Sequence, residues 1–218
     1  MILRSYTLGF VPVAAMLASF GLNAPAIAQT SYEFSVTYDT VSTIDSSFMP
    51  DLGISRATVT GENTDASYGL TNFTSNTYGR FDPTTNTSTF NADPAVFGLE
   101  GEPVLSDRYY GGSNELFGTA SDMATFNFEE STVSGGGTIT ITGGEGIFEN
   151  ATGQITFTQN DRLTSTDPSE PFRGRATLNF SVEAVPEPSS ALGVLAVGAL
   201  GVGSWLQRKR KAHTKLLN

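Results

Sequence analysis

The chain of 218 residues holds 22 Asp and Glu against 12 Lys and Arg, a formal net charge of −10, and contains no cysteine. From Gln29 to Glu183 the imbalance sharpens to 21 acidic residues against 6 arginines, with no lysine and no histidine. This composition excludes disulfides, thiolate and imidazole metal sites, a Cys nucleophile, a Ser-His-Asp triad and a Lys Schiff base; it also repels nucleic acid and anionic membrane surfaces, and favours solubility and weak association with cations.

The first element is a targeting segment. Met1 to Arg4 carry one positive charge, Leu8 to Leu22 are mostly apolar, and Ala26-Ile27-Ala28 offers a small-x-small cleavage site. This order predicts a secretory signal-peptide helix over 1–28, cut by a signal peptidase so that Gln29 becomes the mature N-terminus. A retained anchor helix fits less well, because the stretch is short and Pro12, Gly21 and Pro25 interrupt it.

From residue 29 to 184 the pattern is all-β, a single antiparallel β-barrel or β-sandwich. Tyr32, Phe34, Val36 and Tyr38 alternate with Glu33, Ser35, Thr37 and Asp39, the period of a half-buried strand. Met49 to Gly53 read as a loop. Asp82 to Asn86 read as a turn between strands at Tyr78–Phe81 and Thr87–Phe90. Ala92 to Gly112, with Pro94 and Pro103, read as loops, and Asn114 to Met123 as a short helix. Period-two alternation returns at Phe126 and Phe128, Ile139 and Ile141, Ile155 and Phe157, and Leu178, Phe180 and Val182. Turn chemistry separates these runs at Ser134–Gly137, Gly143–Gly146 and Asn150–Gly153.

Candidate chemistry in this region is sparse. Asp161, Asp167 and Glu170, with Arg162 and Arg173 nearby, form a carboxylate cluster placed in a loop. Such a cluster could do acid/base work on a glycosidic bond or bind a hard cation through oxygen, but a solvated acidic face is the default. Glu100, Glu102, Glu129 and Glu130 read the same way. Tyr109-Tyr110 before Gly111-Gly112 reads as a partly buried aromatic pair rather than a sugar platform. The glycines at 143–146 are followed by neither a lysine nor a helix, so they do not make a phosphate loop. The sequence therefore assigns no catalytic, cofactor or metal residues.

The last element is again a targeting segment, at 185–211, followed by a tail at 212–218. Val185-Pro186-Glu187-Pro188 make a stiff extended spacer. About 17 uncharged, mostly apolar residues from Ser190 to Leu206 would give ~25 Å of helix, the short end for a transmembrane span. Ala191 opens its apolar run, Trp205 stands at an interfacial position, and Arg208, Lys209, Arg210 and Lys211 would remain cytoplasmic, which leaves the acidic region outside.

Pro-Glu-Pro, hydrophobic helix and basic cluster, in that order, resemble the PEP-CTERM sorting domain. The resemblance implies recognition of Pro186, Glu187 and Pro188 by an exosortase-like membrane enzyme, and association with the cell surface and exopolysaccharide matrix. A second, shorter resemblance lies in Thr138–Phe157, whose GGxGxF…G pattern is similar to a hairpin of the allene oxide cyclase and dirigent-like β-barrels. It implies Phe148 as a core plug, and no cyclase activity. The function expected is thus a non-enzymatic cell-surface or matrix protein with a structural or adhesive β-domain. The alternatives are a carboxylate-based enzyme on extracellular glycans and a small-ligand-binding barrel.

Overall fold

The structure, a computed structural model, describes residues 29–165 and 170–185. The expected signal peptide, its Ala26 and Ala28, the Pro186–Pro188 motif and the C-terminal helix with Ala191, Trp205, Leu206 and Arg208–Lys211 lie outside the described residues, as does Asp167.

Nine strands build one sheet: β1 Thr30–Met49, β2 Ile54–Glu62, β3 Asn72–Asp82, β4 Thr87–Asn91, β5 Asp107–Gly111, β6 Asn114–Asn127, β7 Thr132–Glu145, β8 Thr152–Arg162 and β9 Phe172–Ala184. All pairings are antiparallel. The order is β2-β1-β9-β8-β7-β6-β4-β3-β5, and β2 also pairs with β3 and β5 with β6. The pairing therefore returns on itself. The short strands β4 and β5 lie end to end between β3 and β6: β4 covers Tyr78–Asp82 of β3 and β5 covers Asn72–Thr74. Every strand finds a partner on both sides, so no long edge is left to template aggregation.

One face of each strand points inward, as the alternation requires. In β1 the inward set is Val36, Tyr38, Thr40, Ser42 and Ile44, all buried, between exposed Thr37, Asp39 and Thr43. Register with β9 places Phe34 opposite Phe180, Val36 opposite Leu178 and Tyr38 opposite Ala176. The first and last strands meet along their length, Thr30 at the start of β1 pairing with Ala184 at the end of β9. At that end the core is aromatic. Phe148 is fully buried, with ring centroids 5.1 Å from Tyr32 and 5.7 Å from Tyr68. It occupies the plug position that the hairpin pattern implies. Gly146 holds the turn before it at φ +69°, where a Cβ would stand 2.4 Å from the Ser113 carbonyl.

At the opposite end Ile44, Ala57, Phe90, Phe126, Val133 and Phe172 form a second cluster. Outside the ring, the segment between β4 and β5 packs Phe97 and Leu99 over the outer faces of Ile54 and Tyr78. Arg56 stacks on Phe48 at 4.0 Å and pairs with Glu102 at 2.8 Å, tying this segment down.

Three expectations from sequence are corrected. Asn114 to Met123 is not a helix. Its Glu, Leu, Ala and Met favour helix weakly, but pairing to β5, β4 and β7 decides the conformation. The segment 92–112 contains β5 and a 3₁₀ turn at Pro94–Phe97, capped by Asp93 accepting from the Ala95 N–H at 2.9 Å. Gly135–Gly137 lie inside β7 rather than in a turn, because the neighbouring strands leave no room for side chains: a Cβ on Gly137 would stand 2.3 Å from Asp122 Cβ.

Candidate functional site

Inside the ring, on the side of the second cluster and away from the Thr30–Ala184 pair, lies a cavity of about 80 Å³. Small inward residues open it. Gly135 and Gly137 on β7 face Ala124 and Asp122 on β6, and Ala57 and Ala176 stand where longer side chains would meet. Apolar side chains supply most of the wall, among them Phe73, Phe90, Ile139 and Phe157.

Three carboxylates line this cavity: Asp107, Asp122 and Asp161. Asp107 is completely buried on β5, in register with Gly118 of β6. Ser75 Oγ donates to its Oδ1 at 2.8 Å and Tyr109 OH to its Oδ2 at 3.2 Å. Burial pushes its pKa up to about 7, against the pull of these donors and of the Asn76 N–H. Asp122 is inward by strand parity with Ala120, Ala124 and Phe126. Burial raises it to about 7 as well, helped by the charge of Asp107, and no hydrogen bond opposes the rise. The residue keeps some exposed surface although its carboxylate is strongly desolvated. Both hold together because the side chain opens onto the cavity rather than bulk water.

Asp161, on β8, is anchored differently. Gln159 Nε2 donates to it at 2.6 Å, Thr40 Oγ1 at 3.1 Å and Ser42 Oγ at 3.2 Å. Burial raises its pKa, and these three donors restrain the rise. Gly174 opposite makes this possible, since a Cβ there would stand 2.2 Å from Asp161 Oδ1. The same burial, with the neighbouring Asp107 charge second, raises Tyr109 well above the usual phenol range.

The expected cluster of Asp161, Asp167 and Glu170 in a loop is thus replaced. Asp161 is an interior strand residue, while Glu170, Arg162 and Arg173 are exposed. Glu129 and Glu130 are exposed in the β6–β7 turn, where their N–H groups bond to Asn127 Oδ1 at 3.1 and 3.0 Å. Tyr109 is buried in the core, and Tyr110 lies under Arg108 at 4.8 Å. Asp107 and Asp122 are hidden in the sequence because Ala92–Gly112 reads as loop and Asn114–Met123 as helix. Period-two spacing of Asp107 with Tyr109, and of Asp122 with Ala120 and Ala124, was the signal that could have found them. Among the described residues no group of three or more acidic side chains could hold a metal ion.

Fold and cavity together define a small all-β module with an acidic, largely apolar interior pocket. A family model for the PEP-CTERM protein-sorting motif matches residues 184–211, beginning where β9 ends. The chain carries this sorting motif, which implies export to the cell envelope and processing by an exosortase. No curated protein and no solved structure matches the chain.

Proposed function

We propose that this exported, exosortase-sorted protein is a non-catalytic surface component whose ectodomain is a closed β-barrel that takes a small ligand into its interior. The observation that carries this reading is the interior cavity with the unbonded Asp122 carboxylate open to it. The pairing order corresponds to eight strand positions around the ring, a size at which a barrel is either filled by side chains or holds one small ligand. The cavity supports the second, and with it the ligand-binding alternative over the adhesive module. Size also weighs against glycan hydrolysis. A cavity of about 150 Å³ accepts benzene, and this one, of about 80 Å³, has no room for a sugar ring between two carboxylates.

Mature protein taken from the surface fraction should show, under native mass spectrometry, an excess mass that disappears on unfolding. Equal native and denatured masses, with no stabilisation by a panel of small neutral and charged compounds, would return the domain to a filled structural module.

The sorting half of the proposal has its own test. Protein from the envelope should end near Pro186–Ser189, with the apolar segment after it removed. Replacing Glu187 with alanine should leave the full chain, through Asn218, in the membrane fraction. Wild-type protein that keeps Ala191–Asn218 would instead be a simple one-helix anchored protein.

A further inference from the structure

We propose that the interior cavity binds a small organic ammonium ion, its charge held by the paired carboxylates of Asp122 and Asp107 and its hydrocarbon part by the aromatic wall. This rests on the reading of the ectodomain as a ligand-holding barrel and names the chemistry of the ligand.

Asp122 is the starting point. It points inward, its carboxylate is desolvated, and among the described residues no donor reaches it. Asp122 lines the cavity and keeps part of its surface accessible, so its carboxylate is free to take a partner that enters. Asp107 lies close enough for its charge to act on Asp122. Among the described residues no Arg, Lys or His lines the cavity with the pair. Of the six arginines in the ectodomain, Arg56 and Arg108 pair with Glu102 and Glu115, Arg175 pairs with Asp39, and Arg80 donates to the Phe97 carbonyl. Once the pair ionises, a cation entering from outside would supply the balancing charge.

The wall selects its kind. Ca²⁺ wants six to eight oxygen ligands, and among the described residues no three acidic side chains converge to hold a metal ion. Phe73, Phe90 and Phe157 present aromatic surface instead, which suits an alkylammonium through hydrophobic contact and cation–π attraction. At about 80 Å³, roughly half the volume that admits benzene, the cavity fits an amine of about four heavy atoms.

Binding must be coupled to a proton. The titratable groups facing Asp122 are Asp107 and Tyr109 from β5 and Asp161 from β8, with Tyr38 of β1 acting on Tyr109. The lining contributes no charged group from β1, β2, β3, β4, β7 or β9. Near pH 6 Asp107 and Asp122 hold their protons. An ammonium ion favours their ionised forms, so its binding releases a proton, and affinity rises about tenfold per pH unit until the pair is ionised.

The test uses the mature protein and n-propylammonium chloride, with n-propanol as neutral isostere and sodium chloride as ionic control, followed by calorimetry and thermal shift at pH 6 and pH 8. The expected result is saturable binding of propylammonium, tighter at pH 8, none of propanol or sodium, and at least a thirtyfold loss in Asp122→Asn. Calorimetry in buffers of different ionisation enthalpy should report about one proton released at pH 6, a readout that does not depend on the variant folding. Equal binding of propanol and propylammonium, or no proton release, would overturn the cation site while leaving the ligand-holding barrel intact. Binding of neither probe, together with an empty native mass spectrum, would overturn both.

Discussion

Replacing Phe148 with alanine is expected to lower the unfolding free energy by about 3–5 kcal/mol, the range for emptying a buried aromatic site. Phe148 is 0% exposed and meets Tyr32 and Tyr68 edge-on, with Phe34 stacked 6.4 Å away. Its neighbours cannot close over the gap. Tyr68 is held at φ +56°, and the backbone of Phe148 lies against Gly144, where a Cβ would stand 2.5 Å from the Phe148 carbonyl. The plug also closes the end of the ring at which Thr30 and Ala184 pair, next to the start of the sorting motif. Urea denaturation of the variant at pH 6 measures the loss. A loss under about 1 kcal/mol would mean that the aromatic cluster is a surface lid and not part of the core.

The second large effect is the pH dependence of stability. Asp107 rises from 3.8 in the unfolded chain to about 7 in the folded one because burial disfavours its charge. Between these values the folded protein binds more protons than the unfolded chain, so the unfolding free energy falls as pH rises. The stabilisation is fully present below about pH 4 and is lost as pH climbs through 7. At 1.36 kcal/mol per unit this amounts to roughly 4 kcal/mol from Asp107, and Asp122 and Asp161 shift in the same direction. The domain should therefore melt roughly 10 °C lower at pH 8 than at pH 5, using the usual relation between free energy and melting temperature for a chain of this size. The Asp107→Asn variant should flatten that slope and melt above the parent at pH 8, since Asn keeps one acceptor oxygen, and the second hydroxyl can turn to accept from its amide, without the charge. A melting temperature that rises from pH 5 to pH 8 would show that these carboxylates are solvated in the folded state. A ligand cation would oppose the loss at high pH, so that melting with and without propylammonium should diverge above pH 7.

Legibility from sequence followed the range of the interaction. The strands at Tyr32–Tyr38 and Leu178–Val182 announce themselves, because alternation is written in neighbouring residues. The plug position of Phe148 is legible for a related reason: glycines stand close on either side of it, Gly146 in the turn that holds it and Gly153 at the start of β8, and both take positive φ, +69° and +132°. The inward carboxylates were not legible. Asp161 sits among Asp and Glu residues that differ from it in nothing local, and its burial depends on Thr40 and Ser42 from a strand about 120 residues earlier. Asp107 is separated from Ser75 by 32 residues. The glycines of β7 misled for the opposite reason. Three in a row signal a turn locally, whereas here they are the gap that two neighbouring strands require.

The sorting motif, the all-β class, the lack of cysteine and the lack of histidine and lysine between residues 29 and 183 are all readable from the sequence by itself. These properties depend on composition and short-range order, which need no fold to be read. Folding alone brings the pairing back on itself, turns Asp107, Asp122 and Asp161 inward onto one cavity, and leaves that cavity with no basic side chain in its wall among the described residues. Whether a carboxylate meets water or a desolvated wall is set by strands brought together across the ring, and that juxtaposition raises its pKa and leaves it in need of a partner.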